Sequence, residues 1–296
     1  MLYSKIGSMT RLHLPLLCIL LSVSQPLAPV AQAQDPACDD FERATLGTNW
    51  TRYGGSAAEI VNGSDLGSPD GLWCFAGWTA DVFGVDQYSH SIISPSRPPE
   101  MLTQVFVRRR ASDLARYAFH WNGDPGKSQW EIKYDGVPTA QTRILALQPA
   151  PPPAQGDSIC IEVEGATIRG YHEGILILTA TDTAPDAILT AGVAGVVSRA
   201  IQGSPATPPI PIFASWKGGT LVPGGGCAQS GVTLFAVRRG TDVALEWTGG
   251  APPHNLERAV GLPIVWGPLA SCVPGPLWTD AAVVPDGRFL LYRVKP

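Results

Sequence analysis

Charge is what this chain has least of. Only 16% of its 296 residues are Asp, Glu, Lys or Arg, and their balance is acidic, at −4. The one dense basic run, Arg108-Arg109-Arg110, would alternate faces in a strand, which leaves no basic patch. Nucleic acid and insertion into or binding on an anionic membrane are therefore not expected. Long apolar runs are missing too. Leu14–Val23 is about half the 20 residues that a bilayer-spanning helix needs, and no later stretch is longer and comparably apolar. No segment sustains apolar residues at i, i+3 and i+4, so almost no helix is expected. There is no C-x-x-C pair for zinc or thiol exchange, and His90, His120, His172 and His254 show neither H-x-H nor i, i+4 spacing. Nor is there a G-x-S-x-G elbow for a serine nucleophile.

What is present is turn chemistry. The 32 Gly and 28 Pro punctuate short apolar runs within a chain that is 45% hydrophobic, the composition of a turn-rich β protein. Residues 1–33 read as a secretory signal peptide: Lys5 and Arg11, an apolar stretch, then Ala31-Gln32-Ala33 as the cleavage site. The mature chain would begin at Gln34 and be extracellular or periplasmic. Removing two basic and no acidic residues makes its charge 19 − 25 = −6.

The clearest stretch is Asp157–Asp182. Ile159, Ile161 and Val163 alternate with Cys160, Glu162 and Glu164, the period-two mark of a half-buried strand. Gly165-Ala166 and Glu173-Gly174 then turn the chain into two further strands, glycine supplying the positive φ of tight hairpins. The run IEVEG-x-x-I-x-GY-x-x-G-x-L-I-L resembles the late hairpin of concanavalin A-like lectin/glucanase jelly rolls of the laminin-G-like kind. CDDFERATLGTNW (Cys38–Trp50), DQYSHSII (Asp86–Ile93) and FASWKGG (Phe213–Gly219) resemble the same family in the same order. The resemblance implies a two-sheet antiparallel jelly roll over residues 38–219, whose first and last strands are neighbours, and a glycan or polysaccharide as ligand. It also implies possible calcium at loop carboxylates, for which Asp39 and Asp40 are the candidates, although FASW stands where relatives often carry Asp.

Residues 220–231 are a linker by composition. Over residues 232–296 the strand pattern restarts and resembles a short fibronectin type III-like module with five strands at most. Export leaves Cys38, Cys74, Cys160, Cys227 and Cys272, an odd number. Two bridges allow fifteen arrangements. Cys38–Cys227 is favoured because each residue flanks a terminal strand of the jelly roll, with Cys227–Cys272 as the rival.

Two uses of the sheet faces compete. Val105, Val107, Tyr117, Phe119, Trp121, Trp130, Ile132, Tyr134, Ile159, Ile161 and Val163 share an apolar parity and should form the core. The opposite parity places Arg108, Arg116, His120, Glu131, Lys133, Glu162 and Glu164 on one exposed polar face, suited to hydrogen bonding with sugar hydroxyls. Trp78 and Tyr88, near loops, are the candidates for stacking on a sugar ring. Glucanases of the same fold resemble E-x-D-x-E or E-x-D-x-x-E on their catalytic strand. CIEVEGA has neither the central Asp nor the third acid, so a non-catalytic carbohydrate-binding protein is the leading expectation. A structural or adhesion protein without a small ligand is second, and a glycoside hydrolase third.

Overall fold

The computed structural model describes residues 36–53, 56–61, 63–68, 73–97, 101–136, 142–200, 210–222, 226–228, 233–239, 242–248, 254–260, 266–273, 277–281 and 290–295. The signal peptide and the expected cleavage site lie outside them. The strands are β1 (Ala37–Asp39), β2 (Trp50–Arg52), β3 (Ser56–Ala57), β4 (Glu59–Val61), β5 (Asp65–Ser68), β6 (Cys74–Trp78), β7 (Gln87–Ile93) and β8 (Met101–Arg109). They continue as β9 (Arg116–Asn122), β10 (Gln129–Asp135), β11 (Arg143–Pro149), β12 (Ser158–Glu164), β13 (Thr167–His172), β14 (Ile175–Thr181), β15 (Val193–Ala200) and β16 (Ile210–Thr220). These sixteen form two sheets, here called the front and back sheets. The front sheet runs β11-β10-β9-β8-β15-β6-β2, with β3 on β6. The back sheet runs β14-β13-β12-β7-β16-β5-β4, with β1 on β16. Apart from β3 on β6, which is parallel, neighbouring strands are antiparallel, giving the all-β jelly-roll sandwich. First and last strands are adjacent, Asp39 opposite Trp216.

The alternation in the sequence decides which side of each strand is buried between the sheets. Trp121 lies opposite Trp130, Phe119 opposite Ile132 and Tyr117 opposite Tyr134 across β9 and β10. All six belong to one core with Val105, Val107, Ile159, Ile161 and Val163. Phe119 and Trp130 stack with centroids 4.8 Å apart, and Trp50 packs edge-on against Trp78 and Trp216. The hairpins β12-β13 and β13-β14 turn at Gly165 and at Glu173-Gly174, all three at positive φ.

Both disulfides differ from the pairing favoured by sequence. Cys160 joins Cys227, and Cys38 joins Cys272; buried Cys74 is the odd one, 2.9 Å from Ser198 Oγ. Flanking a terminal strand in sequence misled here, because Cys227 lies across the middle of the back sheet instead of beside β1. There it clusters with Tyr88, Cys160 and Tyr171. Its neighbour Gly226 has φ +102, and a Cβ there would stand 2.6 Å from Glu162 Oε2. Beyond it follow β17 (Thr233–Arg239), β18 (Asp242–Thr248), β19 (His254–Val260), β20 (Trp266–Val273), β21 (Leu277–Asp280) and β22 (Leu290–Lys295). They pair as β17-β18-β21 and β20-β19-β22 around Leu245, Trp247 and Leu256. That is six strands among the described residues, one more than expected.

Two outcomes test this arrangement. Trp130→Ala should lower the stability measured by urea unfolding by about 3–5 kcal/mol, the usual cost of an aromatic-sized cavity; a loss below about 1 kcal/mol would place Trp130 outside the core. Non-reducing peptide mapping should recover Cys38 with Cys272 and Cys160 with Cys227, and any Cys38–Cys227 fragment would contradict the fold.

Candidate functional site

The side of the front sheet that faces away from the core collects the residues with chemistry. One row crosses five strands in register: Phe75 on β6, Val197 on β15, Gln104 on β8, His120 on β9 and Glu131 on β10. Phe106, Ala118 and Val197 form its apolar floor. The polar members are buried, Gln104 at 0% and His120 and Glu131 at 2% exposure. Glu131 Oε1 accepts from Gln129 Nε2 at 2.7 Å and Asn122 Nδ2 at 3.0 Å, and Oε2 lies 3.3 Å from His120 Nε2. Burial alone would raise the Glu131 carboxyl; the bonds from His120, Gln129 and Asn122 outweigh it and leave it at about 2. Burial pulls His120 down to about 4, with the Glu131 bond opposing, so the ring is neutral at pH 7. Its Nε2–H then donates to Glu131 and its Nδ1 is an acceptor. That Nδ1, and both amide atoms of Gln104, have no hydrogen-bond partner among the described residues.

Beside this row lie the cations. Asp135 receives Arg116 Nη2, Lys133 Nζ at 3.4 Å and the Thr142 hydroxyl at 3.1 Å. Burial raises the Asp135 carboxyl, but Lys133 and Arg116 pull it below the ordinary carboxylate range. The Arg116 guanidinium lies over Phe75 at 4.6 Å, and that of Arg109 over Tyr53 at 3.3 Å. Tyr53 reaches this place because residue 77 is glycine: a Cβ there would come within 2.7 Å of the Tyr53 ring. Trp73 stacks on Phe75 at 5.6 Å, carries Arg199 over its own ring, and is 37% exposed at the rim.

Of the residues singled out by sequence, Arg116, His120, Glu131 and Lys133 come together on this face. The others do not join them, and none of the four is exposed as expected. Arg108 departs through a bulge: its φ is +51 and the register between β8 and β15 shifts, which turns Arg109 onto the front face in its place. The Arg108 guanidinium instead donates to the carbonyls of Val85, Gly165 and Ile188 at 2.7–2.8 Å, tying three loops. Glu162 and Glu164 follow their predicted parity, but on the back sheet, so they face the other side of the sandwich. Glu162 accepts from the Tyr171 hydroxyl at 2.6 Å and from Cys227 N at 3.2 Å; Glu164 pairs with Arg169. Trp78 is in the core, stacked on Trp216, and Tyr88 is buried beside the Cys160–Cys227 bridge. Asp39 is consumed by structure: Arg43 forks onto both of its oxygens and Trp50 Nε1 donates at 2.6 Å. Asp40 Oδ1 accepts from Glu42 N. Among the described residues no cluster of three or more His, Cys, Asp and Glu is placed to hold a metal ion.

Gln104, Arg109, Trp73, Phe75, Tyr53 and Asp135 were not picked out from the sequence. For Gln104 the signal was available, since it alternates with Val105 and Val107. For Trp73 and Phe75 it was weak: in Leu72–Trp78 both parities are apolar, so alternation does not tell the faces apart.

No protein-family model and no curated protein matches the chain. Solved structures do resemble it. A carbohydrate-binding module of family 66 from Bacillus subtilis is 14% identical, with 60% of this chain and 96% of that one covered and a TM-score of 0.41. A Bacillus subtilis protein of unknown function with a galectin-like fold is 12% identical, covers 64% and 97%, and has a TM-score of 0.48. A Bacillus licheniformis β-glucanase is 13% identical, covers 64% and 100%, and has a TM-score of 0.39. These likenesses are distant, and the site rests on the geometry of this chain.

Proposed function

We propose that the front face of β6, β15, β8, β9 and β10 is a carbohydrate-binding cleft, and that the protein is a secreted, non-catalytic glycan-binding protein. The observation that carries this is the Gln104–His120–Glu131 row. An amide with both ends open and an imidazole with an open acceptor are buried next to aromatic rings. A buried polar atom without a partner costs about 1–3 kcal/mol. Sugar hydroxyls, which both donate and accept, are suited to relieve that cost, and Trp73 at the rim supplies apolar ring surface for a sugar. Export fits the two disulfides and the lack, among the described residues, of a helix long and apolar enough to cross a membrane. The same reading takes the six C-terminal strands as a fibronectin type III-like spacer, which their division into two three-stranded sheets supports.

Hydrolysis is the reading it must be weighed against. Glu131, Lys133 and Asp135 stand on one side of β10 at the spacing of E-x-D-x-E, with Lys in the central place. Glycosidases need one carboxyl to stay protonated so that it can donate to the leaving oxygen. Glu131 and Asp135 are both held low, and His120 is neutral. The cleft therefore offers hydrogen bonds but no carboxylic acid at neutral pH.

A glycan array probed with the secreted chain should show binding. Gln104→Ala and His120→Ala should each weaken it by about 1–3 kcal/mol, while Glu164→Ala on the back sheet leaves it unchanged. Binding to nothing on a broad array would favour a structural or adhesion role, and release of reducing sugar would overturn the non-catalytic reading. Affinity should be level from about pH 8 to 5 and fall towards pH 4, where His120 gains its proton and Nδ1 turns from acceptor to donor. Stability should follow a related course. The unfolded imidazole takes its proton near 6.5, before the folded one at about 4, so stability drops as pH falls across that window. The contribution of Glu131 is lost lower, between 4.5 and about 2. Affinity that is unchanged at pH 4 in a folded protein would remove His120 from the site.

A further inference from the structure

We propose, resting on the reading of this face as a glycan cleft, that Arg109 and Arg116 form an anion subsite within it. The ligand would then be an acidic glycan carrying a carboxylate or a sulfate. Three cations, Arg109, Arg116 and Lys133, gather at this end of the face, and two carboxylates accompany them. Asp135 is shared by Arg116 and Lys133, and Glu131 is engaged by His120, Gln129 and Asn122. Arg109 is left over. It is 2% exposed and has no carboxylate within ion-pair distance among the described residues.

Its contact with Tyr53 does not satisfy it. The ring lies against the flat of the guanidinium, 3.3 Å from Cζ, whereas the N–H bonds point outward in the plane. Nε and Nη2, which together form one edge of the fork, both lack a hydrogen-bond partner among the described residues. That edge is the one that grips a carboxylate or sulfate through two parallel bonds. Arg116 Nε is open as well. The two cations are close enough that Arg109 pulls the Arg116 guanidinium down, burial being the larger cause, to about 10. The aromatic seats adjoin: a Cβ on Gly77 would touch the Tyr53 ring at 2.7 Å and Phe106 at 3.5 Å, and Arg116 lies 5.8 Å over Phe106. An anion seated against these groups exchanges water for the Arg109 fork edge and the Arg116 Nε–H, and a neutral sugar offers only hydroxyls.

The test uses two matched pairs: polygalacturonate against the same polymer after carboxyl reduction, and dextran sulfate against dextran. Affinities of the full secreted chain are compared at low salt. The acidic member of at least one pair should bind about tenfold tighter or more, and the pair that responds tells carboxylate from sulfate. In Arg109→Gln that preference should vanish, whereas binding of neutral glycans that depends on Gln104 remains. Equal binding of acidic and neutral members, or a preference that survives in Arg109→Gln, overturns the anion subsite and leaves the cleft standing. Binding to no glycan of any kind overturns both. If Arg109→Gln fails to fold, Arg109→Lys decides: it keeps the charge but not the fork, so it should lose most of the preference, and full retention would refute the fork.

Discussion

The pairing of β9 with β10 is the constraint on which the rest depends. Three aromatic or large apolar pairs face the core, and between them His120–Glu131, Ala118–Lys133 and Arg116–Asp135 face the other way. Because side chains alternate strictly, a slip of one residue would bury the charges in the core and expose Trp121, Trp130 and Phe119. The large apolar area removed from water on one side thus holds the polar row in register on the other. The register of the front-face polar row is inherited from the core beneath it.

The two outer faces of the sandwich have opposite fates. On the back sheet, Cys227 is bonded to Cys160 and its N–H is taken by Glu162, so Cys227 packs against Tyr88 and Tyr171 and the polar groups there find partners in the chain. On the front sheet Gln104, His120 and Arg109 are buried with atoms that find none among the described residues. The carboxylates follow the same division of labour. Asp39 and Glu162 serve the fold, whereas Glu131 and Asp135 keep imidazole, ammonium and guanidinium groups oriented on the front face.

Much of this was legible where a strand has one wet and one dry side. Alternation in residues 105–134 and 159–163 set the core apart and put four residues on the side facing away from it, although they are buried there and not exposed. Legibility failed where a local backbone event or a distant contact decides the outcome. One bulge at Arg108 exchanged that residue for Arg109, which no period-two count could foresee. Sheet membership was equally hidden, so Glu162 was grouped with Glu131 although the two face opposite sides. The Cys160–Cys227 bridge depends on where Cys227 packs, which is a property of the back sheet and not of distance along the chain.

The Cys38–Cys272 bridge has a mechanical consequence. It joins residues 234 positions apart, so everything between them is one covalent ring. A pull applied before Cys38 and after Cys272 passes from one sulfur to the other and never loads the sandwich. About 800 Å of extended chain is thereby withheld from the force, and among the described residues β21 and β22, beyond Cys272, are the strands that can be peeled away. Under tension the front face would keep its shape while the segments outside the ring stretched.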